Sequence, residues 1–307
     1  MTTPVDLSVT LAGIRLKNPV LAASGTFGYG VEFAGLVDLN RLGGIVTKGL
    51  SAEPMEGLPA PRLVETPAGM LNAVGLQNIG VRRFIAEKLP ALRRYDTTVV
   101  VNVFGQTTEE YVEVIERLNE AEGVAAYELN VSSPNARRGG MQFGTHPELL
   151  REVVAAARRA ARRPLIVKLS PNVGDIAAFA RIAEDTGADA LTLINTLLGM
   201  AIDLDSRRSR LGHPTGGLSG PAIKPVALRM VWQAARAVKI PIIGAGGIAT
   251  GRDALEFMVA GAEAVQVGTA NFVKPAAAAQ VVDDILNYCA SNKIDRVKQL
   301  VGTLQTG

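Results

Sequence analysis

The sequence predicts one α/β domain over residues 1–307, a (β/α)8 TIM barrel whose core spans about residues 18–285. Three observations favour this fold class. Eight short apolar segments alternate with amphipathic helical segments, and glycines or polar residues follow the apolar segments. Two connections are longer than the usual two to six residues, and both follow predicted strands. Eight such steps in roughly 250 residues fit a closed barrel better than an open doubly wound sheet.

The first predicted element is a short β-hairpin, because residues 7–16 alternate around Gly13. The predicted barrel strands follow at residues 20–23, 44–47, 99–103, 127–131, 165–169, 190–194, 241–244 and 264–267. Helices are predicted between them at residues 108–119, 147–161, 176–186, 223–237 and 252–260. A last helix around residues 281–288 precedes a C-terminal tail at residues 290–307.

The two long connections follow the second and sixth strands, over residues 49–82 and 197–219. The first contains four prolines, Pro54, Pro59, Pro61 and Pro67. In a barrel both connections lie on the face formed by the carboxyl ends of the strands. Insertions on that face usually shape a substrate pocket.

Composition excludes several classes of protein. With 48% hydrophobic and 20% charged residues and a net charge of +3, the chain resembles an ordinary globular protein. Its arginine pairs are scattered, so a nucleic-acid partner is not favoured. One cysteine permits neither an intrachain disulfide nor a cysteine-ligated iron–sulfur cluster, and the presence of only two histidines besides argues against a zinc site. No apolar run reaches the roughly 18 residues of a membrane span, so we expect a cytoplasmic protein.

Five predicted strands place a lysine or an asparagine at their ends: Lys48, Asn102, Asn130, Lys168 and Asn195. Buried polar groups cost free energy unless they are satisfied, so these side chains should converge on one polar ligand. An internal hydrogen-bond network is the alternative. None of the strand ends carries Asp, Glu or His, which argues against a metal site and against glycosidase-type acid–base chemistry.

The last two strands carry a phosphate-binding signal. Gly246-Gly247 follows the seventh strand and Gly268-Thr269 follows the eighth, so backbone N–H groups can approach an anion. The first run also fits a loose dinucleotide pattern, but Glu263 precedes its strand and would not face a ribose. We therefore interpret the loops as a monophosphate site rather than a Rossmann site.

Flavin mononucleotide (FMN) suits a phosphate site that continues into a pocket lined by lysines and asparagines. Lys168 near the pyrimidine end of the ring would stabilise the reduced anionic flavin, while Asn102 and Asn130 would hydrogen-bond ring carbonyls. The segment Ser132-Ser133-Pro134-Asn135 ends the fourth strand in a polar turn, where barrel enzymes place reactive groups. An ordinary strand-to-helix turn is the alternative for this segment.

Several ordered motifs resemble dihydroorotate dehydrogenase, most closely the class 1B catalytic subunit, over about residues 5–285. They are ASGTFGYG (23–30), KG (48–49), PAGMLNAVGLQN (67–78), ELNVSSPN (128–135), VKLSPN (167–172), INTLLGM (194–200), TGGLSG (215–220) and GAGG (244–247). The resemblance implies an FMN-containing barrel that oxidises dihydroorotate to orotate in pyrimidine biosynthesis.

The resemblance also implies two sets of site residues. The residues expected to contact FMN are Ser24, Lys48, Gly49, Asn102, Asn130, Lys168, Ile194, Gly220, Gly246, Gly247, Gly268 and Thr269. The residues expected to contact the substrate are Lys48, Asn72, Ala73, Val74, Gly75, Leu76, Asn130, Asn195 and Thr196. The loop residues 72–76 enter only through the resemblance, since spacing alone does not assign them.

The base that removes the substrate proton falls at Ser133, where class 1 relatives usually carry cysteine and class 2 relatives carry serine. A hydroxyl is far less acidic than a thiol, so Ser133 needs a water relay or a closing loop, to which Arg137 and Arg138 could contribute. The serine is either a natural variant or an engineered replacement of cysteine.

Class 1B resemblance further implies NAD as the electron acceptor. A second subunit with FAD and an iron–sulfur cluster would then be needed, in a heterotetramer built on a homodimer. A fumarate-linked class 1A enzyme is the nearest alternative. A tRNA dihydrouridine synthase would be expected to carry a basic extension, which is not visible after residue 285. A non-catalytic phosphate-binding barrel would leave the buried lysines and asparagines unexplained.

Overall fold

The computed structural model describes residues 5–132, 134–135 and 141–306. The strands are β1 (Val9–Leu11), β2 (Ile14–Leu16), β3 (Val20–Ala22), β4 (Gly44–Val46), β5 (Leu63–Thr66), β6 (Gly69–Asn72), β7 (Thr98–Val103), β8 (Ala126–Asn130), β9 (Pro134–Asn135), β10 (Met141–Gln142), β11 (Leu165–Lys168), β12 (Ala190–Leu193), β13 (Leu197–Gly199), β14 (Ile202–Asp203), β15 (Arg208–Ser209), β16 (Gly216–Ser219), β17 (Ile242–Ala245) and β18 (Ala264–Val267). The α-helices are α1 (Val81–Arg83), α2 (Leu89–Leu92), α3 (Thr108–Asn119), α4 (Pro147–Ala160), α5 (Ile176–Asp185), α6 (Lys224–Ala235), α7 (Gly251–Ala260), α8 (Ala270–Val273) and α9 (Ala277–Ser291). A π-helical segment, Phe84–Lys88, joins α1 to α2.

Eight parallel strands close into a barrel in the order β11-β12-β17-β18-β3-β4-β7-β8. The predicted (β/α)8 fold is confirmed, and every predicted barrel strand agrees with the observed one to within one residue at each end. The agreement has a simple cause. Strands of this kind are covered by helices outside and by side chains inside, so they are predominantly apolar and contrast with the amphipathic helices between them.

The predicted N-terminal hairpin is present as β1 and β2. Ala12 and Gly13 both have positive φ, 47° and 81°, as a two-residue type I′ turn requires. The chain beyond α9 returns to this end of the molecule, because the Asp6 N–H donates to the Asp295 carbonyl at 2.8 Å and the Val297 N–H donates to the Asp6 carbonyl at 3.0 Å. Residues 295–297 are thus packed onto the N-terminal segment, and Val297 is fully buried.

The long connections after the second and sixth barrel strands form one structure. Strands β5 and β6 from the first connection and β13 and β16 from the second build a four-stranded antiparallel sheet in the order β13-β16-β6-β5. Asn72 of β6 pairs with Gly217 of β16 at the junction of the two connections. The sequence predicts both long loops, but it gives no sign that they pair with each other. In the part of the chain that the structure describes, no helix is long and apolar enough to cross a membrane.

Candidate active site

A group of glycine-containing turns meets beyond β17 and β18, where the sequence predicts a phosphate site. Gly246 and Gly247 have φ of 122° and 77°. A Cβ on Gly247 would lie 3.0 Å from the Gly220 carbonyl oxygen and 2.7 Å from Lys224 Cβ, so these backbones approach closely. The Thr269 hydroxyl donates to the Ser219 hydroxyl at 2.8 Å, which joins the turn after β18 to the end of β16. The arrangement brings these glycine-containing turns close together, and backbone N–H groups of such turns can bind a phosphate.

The N-terminus of α7 is not free to hold that phosphate. Thr250 and Asp253 form a reciprocal capping box at this end. The Asp253 carboxylate also accepts hydrogen bonds from the N–H groups of Ala249 and Thr250, at 3.0 and 2.8 Å. A phosphate in this region would therefore rely on the glycine turns and not on the helix end.

The barrel interior contains five polar side chains from five strands, which we call the interior polar group: Asn102, Glu128, Lys168, Thr192 and Gln266. Glu128 is fully buried at its centre and accepts hydrogen bonds from Asn102 Nδ2 at 2.8 Å, Thr192 Oγ1 at 2.8 Å and Gln266 Nε2 at 2.5 Å. Lys168 Nζ donates to Gln266 Oε1 at 3.1 Å and lies 3.7 Å from Glu128 Oε1. For Asn102 and Lys168, the internal network that the sequence left as an alternative is therefore present.

One atom of this group lacks a partner. Asn102 Oδ1 is buried and accepts no hydrogen bond within the described residues, whereas its Nδ2 is held by Glu128. A Cβ on Gly49 would lie 2.8 Å from Asn102 Oδ1, so the carbonyl faces the turn after β4. A buried acceptor without a donor costs free energy, and the N–H of a bound heterocycle would satisfy it.

A second amide cluster lies at the ends of β8 and β12. Asn195 Nδ2 donates to Asn130 Oδ1 at 3.2 Å and to Ser132 Oγ at 3.1 Å, and the Ser132 N–H donates to Asn130 Oδ1 at 3.2 Å. Asn130 and Asn195 are thus brought together, and they fix the chain just before the predicted base. Ser133 itself lies outside the described residues, as do Arg137 and Arg138.

The loop-derived site residues are brought to the same end of the barrel. Asn72 Nδ2 donates to the Gly217 carbonyl at 3.1 Å, and a Cβ on Gly217 would lie 2.2 Å from Thr196 Oγ1. Asn72 and Thr196 are therefore neighbours across Gly217. Gly75 and Leu76 have positive φ, 73° and 60°, and form the turn after β6.

The loop after β6 is held by the loop that precedes β5. The Ala73 N–H donates to the Arg62 carbonyl at 2.8 Å, and the Val74 carbonyl accepts from the Leu58 N–H at 3.0 Å. These bonds fix the backbone of residues 73–74, next to the turn whose amides the resemblance assigns to the substrate.

Lys48 is half-buried two residues after β4, and it makes no ion pair with the described residues. Burial lowers the pKa of its ammonium, with a smaller contribution from the positive charge of Arg62. Such a desolvated cation gains strongly from a bound anion.

The remaining predicted residues lie between these groups. Ser24 follows Ala23, whose N–H donates to the Val267 carbonyl at 2.9 Å, and a Cβ on Gly268 would lie 3.5 Å from Ala23 Cβ. The Ile194 N–H donates to the Ala245 carbonyl at 2.9 Å, and Ile194 Cγ1 would lie 3.4 Å from a Cβ on Gly246. Ser24 and Ile194 thus lie beside the glycine turns.

Glu128, Thr192 and Gln266 were not predicted as site residues from the sequence, because they lie one level below the strand ends. Glu128 lies two residues before Asn130 and pairs in register with Asn102. Alternate strand residues share a face, so Glu128 must face the interior if Asn130 does. A charged residue between Tyr127 and Leu129, both fully buried, is the signal that could have identified it.

A family model described as dihydroorotate dehydrogenase matches residues 6–288. The chain belongs to the dihydroorotate dehydrogenase family. The assignment made from the sequence motifs is confirmed, and it accounts for a barrel with polar side chains at the carboxyl ends of its strands. Dihydroorotate dehydrogenases depend in general on a flavin.

Three similar proteins show how far the family likeness extends. A protein of Solibacter usitatus, named for the A (fumarate) type of dihydroorotate dehydrogenase, is 61% identical over 98% of this chain and 99% of its own length. A dihydroorotate dehydrogenase B (NAD(+)) catalytic subunit of Geotalea uraniireducens is 59% identical over the same shares of the two chains. The counterpart from Geobacter sulfurreducens is 59% identical over 98% of both chains.

A solved dihydroorotate dehydrogenase has the same fold. The enzyme of Eimeria tenella, in complex with ferulenol, superposes with a TM-score of 0.80 at 25% sequence identity. The match covers 97% of this chain and 88% of that one. The dihydroorotate dehydrogenase barrel is therefore retained over nearly the whole chain.

Proposed function

We propose that this protein oxidises (S)-dihydroorotate to orotate, the redox step of pyrimidine biosynthesis, with one FMN per chain. Relatives about 60% identical over nearly the whole chain are named for this activity. The observation that carries the proposal is the convergence of the glycine turns, the interior polar group and the Asn130–Asn195 pair at one end of the barrel. A phosphate, a planar heterocycle and a small carboxylate substrate find complementary groups there.

FMN would be held by residues that already lie together. Its phosphate suits the turns at Gly220, Gly246, Gly247, Gly268 and Thr269, beside Ser24 and Ile194. The ring suits Lys48, Gly49, Asn102, Asn130 and Lys168, since Asn102 Oδ1 has no donor among the described residues and faces the turn at Gly49. When bound, the flavin supplies the hydride acceptor that no side chain can provide.

The substrate would be bound through its carboxylate and its amide edges. Lys48 offers a desolvated ammonium, and Asn72, Asn130, Asn195 and Thr196 offer hydrogen-bonding groups. Backbone amides of Ala73, Val74, Gly75 and Leu76 would complete the site on the loop side. Fixed donors of this kind hold the reacting carbon in position, which is a large part of catalysis.

Ser133 would remove a proton from the substrate carbon next to the carboxyl-bearing carbon, while hydride leaves the carboxyl-bearing carbon itself. The neighbouring Ser132 is fixed by Asn195, so the residue before the base has a defined position. The asparagines are neutral and cannot accept the proton of Ser133, so a water relay or a closing loop must complete the transfer.

The decisive test is spectroscopic. Purified protein is expected to carry the visible absorption of oxidised FMN, and dihydroorotate added without oxygen should bleach that absorption with formation of orotate. A protein that retains FMN but is bleached by dithionite and not by dihydroorotate would contradict the proposed reaction.

Gly247→Ala should weaken FMN binding by at least about tenfold. A positive φ costs a residue with a Cβ about 1–2 kcal/mol, and the Cβ would also press on Lys224 and on the Gly220 carbonyl. FMN affinity is measured by quenching of its fluorescence on titration with apoprotein. Gly35→Ala is the matched control, because Gly35 has open space around it. Equal affinities for the two variants would argue against a phosphate at these turns.

Lys48→Met should weaken orotate binding about 10- to 100-fold, the value of a charge-assisted hydrogen bond. It should also stabilise the apoprotein at neutral pH. The folded pKa of Lys48 lies below its usual 10.5, so between these two values the unfolded chain holds more protons and stability rises with pH. Below that pH window Lys48 is charged in both the folded and the unfolded state, so its burial lowers the free energy of unfolding. Methionine removes this cost.

Two measurements check this prediction. Orotate affinity is read from the perturbation of the flavin spectrum, and apoprotein stability from urea unfolding at neutral pH and near pH 10. Lys239→Met, which alters an exposed lysine, is the control for both. A Lys48→Met apoprotein less stable than wild type at neutral pH would contradict the stabilisation that the lowered pKa of Lys48 predicts.

We propose NAD as the electron acceptor, reached through a second subunit that carries FAD and an iron–sulfur cluster. The names of the Geotalea and Geobacter relatives support this assignment. The name of the Solibacter relative favours fumarate instead, with this chain acting alone. Purification of the native complex separates the two, since a co-purifying flavin and iron–sulfur subunit with NAD reduction supports the first, and fumarate reduction by the isolated chain supports the second.

A homodimer forms the core of the proposed assembly. Four apolar side chains are exposed on the connection after β12: Leu198, Met200, Ile202 and Leu204. Exposed apolar stripes of this kind commonly mark contacts between subunits. Sedimentation of the isolated chain measures whether it forms a dimer.

A further inference from the structure

We propose that Glu128 is a positioning residue that orients Asn102 and Lys168 toward the flavin and offsets the positive charge of Lys168, thereby lowering the flavin reduction potential. The inference rests on the proposed FMN site and goes beyond it. Glu128 lies one layer beneath the strand ends, in contact with two residues proposed to touch the ring.

The geometry makes Glu128 the centre of the interior polar group. Its carboxylate on β8 receives hydrogen bonds from β7, β12 and β18, and its partner Gln266 connects it to Lys168 on β11. Gln266 thereby donates to the carboxylate and accepts from the ammonium. This chain of bonds fixes the orientation of the Gln266 amide and the position of Lys168 Nζ.

The orientation of Asn102 follows from the same carboxylate. A carboxylate only accepts hydrogen bonds, so it must face Nδ2 of Asn102 and leave Oδ1 on the opposite side. That Oδ1, which has no donor in the described part of the chain, faces the turn at Gly49. Glu128 therefore determines that the ligand meets a carbonyl rather than an NH2 group at this position.

Glu128 also offsets the positive charge of Lys168. Its side chain is 8% exposed and that of Glu128 is 0% exposed, and the charged atoms are 3.7 Å apart. Charges in such a dry interior act strongly on each other and on any charge added nearby. An isolated Lys168 would stabilise negative charge on a reduced ring, whereas the Lys168–Glu128 pair is neutral. The carboxylate thus makes the reduced cofactor a better electron donor.

Stability alone does not explain a buried ion pair at this place. Such pairs cost desolvation free energy, and apolar residues of similar volume often stabilise a core as well or better. An apolar pair in this position would leave the barrel filled, but it would remove both the cation and the fixed orientation of Asn102. We therefore attribute the buried carboxylate to its effect on the site.

Glu128→Gln tests the proposal, because it keeps the shape and removes the charge. The flavin potential is measured by equilibrium reduction with a reference dye. We expect the equilibrium ratio of reduced to oxidised bound FMN to be at least about tenfold higher in this variant than in wild type. A tenfold higher ratio corresponds to a rise of about 30 mV in the two-electron potential. Affinity of the oxidised flavin for sulfite should rise in parallel, since it reports the same positive field.

Thr192→Val is the matched control, since it removes one hydrogen bond to the same carboxylate and keeps the charge. In this variant the ratio of reduced to oxidised bound FMN should stay within about threefold of wild type, which corresponds to a change in potential of at most about 15 mV. An unchanged potential in FMN-loaded Glu128→Gln, or an equal shift in Thr192→Val, would overturn the proposal and leave Glu128 a structural residue.

Glu128→Asp provides a second reading if the glutamine variant does not fold. Aspartate keeps the negative charge but moves it away from Lys168 by the length of one methylene. We therefore expect the ratio of reduced to oxidised bound FMN to rise by less than tenfold, whereas a purely structural role of Glu128 predicts no change in the flavin potential. The proposed function is judged separately on the wild-type protein. Absence of bound FMN in the wild-type protein would contradict the proposed function. A wild type that binds FMN and oxidises dihydroorotate, together with variants whose flavin potential is unchanged, would contradict only the role proposed for Glu128.

Discussion

Ser133→Ala is expected to leave FMN bound and to slow flavin reduction by dihydroorotate by about 10²- to 10⁴-fold, the usual contribution of a general base. FMN is proposed to be held by the glycine turns and the interior polar group, so loss of one hydroxyl on the loop after β8 should not release it. The measurement is the rate of flavin bleaching in an anaerobic stopped-flow experiment.

Two comparison variants sharpen this prediction. Ser132→Ala removes the neighbouring hydroxyl, which accepts from Asn195 Nδ2, and should slow reduction by less than about tenfold since it costs one neutral hydrogen bond. Ser133→Cys should reduce faster near neutral pH and gain rate as the pH approaches about 8.5, the pKa of a free thiol. Equal rates for Ser133→Ala and wild type would exclude this serine as the base.

The barrel could be predicted from the sequence because its signal is local. Residues 242–245 form an apolar tetrapeptide that follows the helix 224–235, and each such step can be recognised without knowledge of the others. Strand closure then follows from the number of steps. The resemblance added residues 72–76, whose turn at Gly75 and Leu76 has no periodic signature.

The features that could not be predicted are contacts between distant parts of the chain. The pairing of Asn72 with Gly217 depends on where two long loops meet, and nothing in either loop specifies the other. Glu128 and Gln266 are 138 positions apart, and each resembles an isolated polar residue in an apolar strand. The role of Ser133 stays a prediction from the sequence.

Lys168→Met should lower the free energy of unfolding of the apoprotein by about 3–5 kcal/mol, since it leaves a buried carboxylate without its cation. Glu128 would keep its three hydrogen bonds but lose the only ammonium within 4 Å among the described residues. Urea unfolding of the apoprotein measures the loss. FMN titration of the same variant should show weaker binding, because Lys168 is proposed to contact the ring.

The double variant Lys168→Met/Glu128→Gln separates these two consequences. Removing both charges should restore most of the lost stability, since a neutral pair no longer demands compensation in the core. It should not restore FMN affinity or reduction by dihydroorotate, because the cation is still absent. If the single variant is as stable as wild type, the prediction is wrong, and the Lys168–Glu128 ion pair makes no net contribution to the stability of the apoprotein.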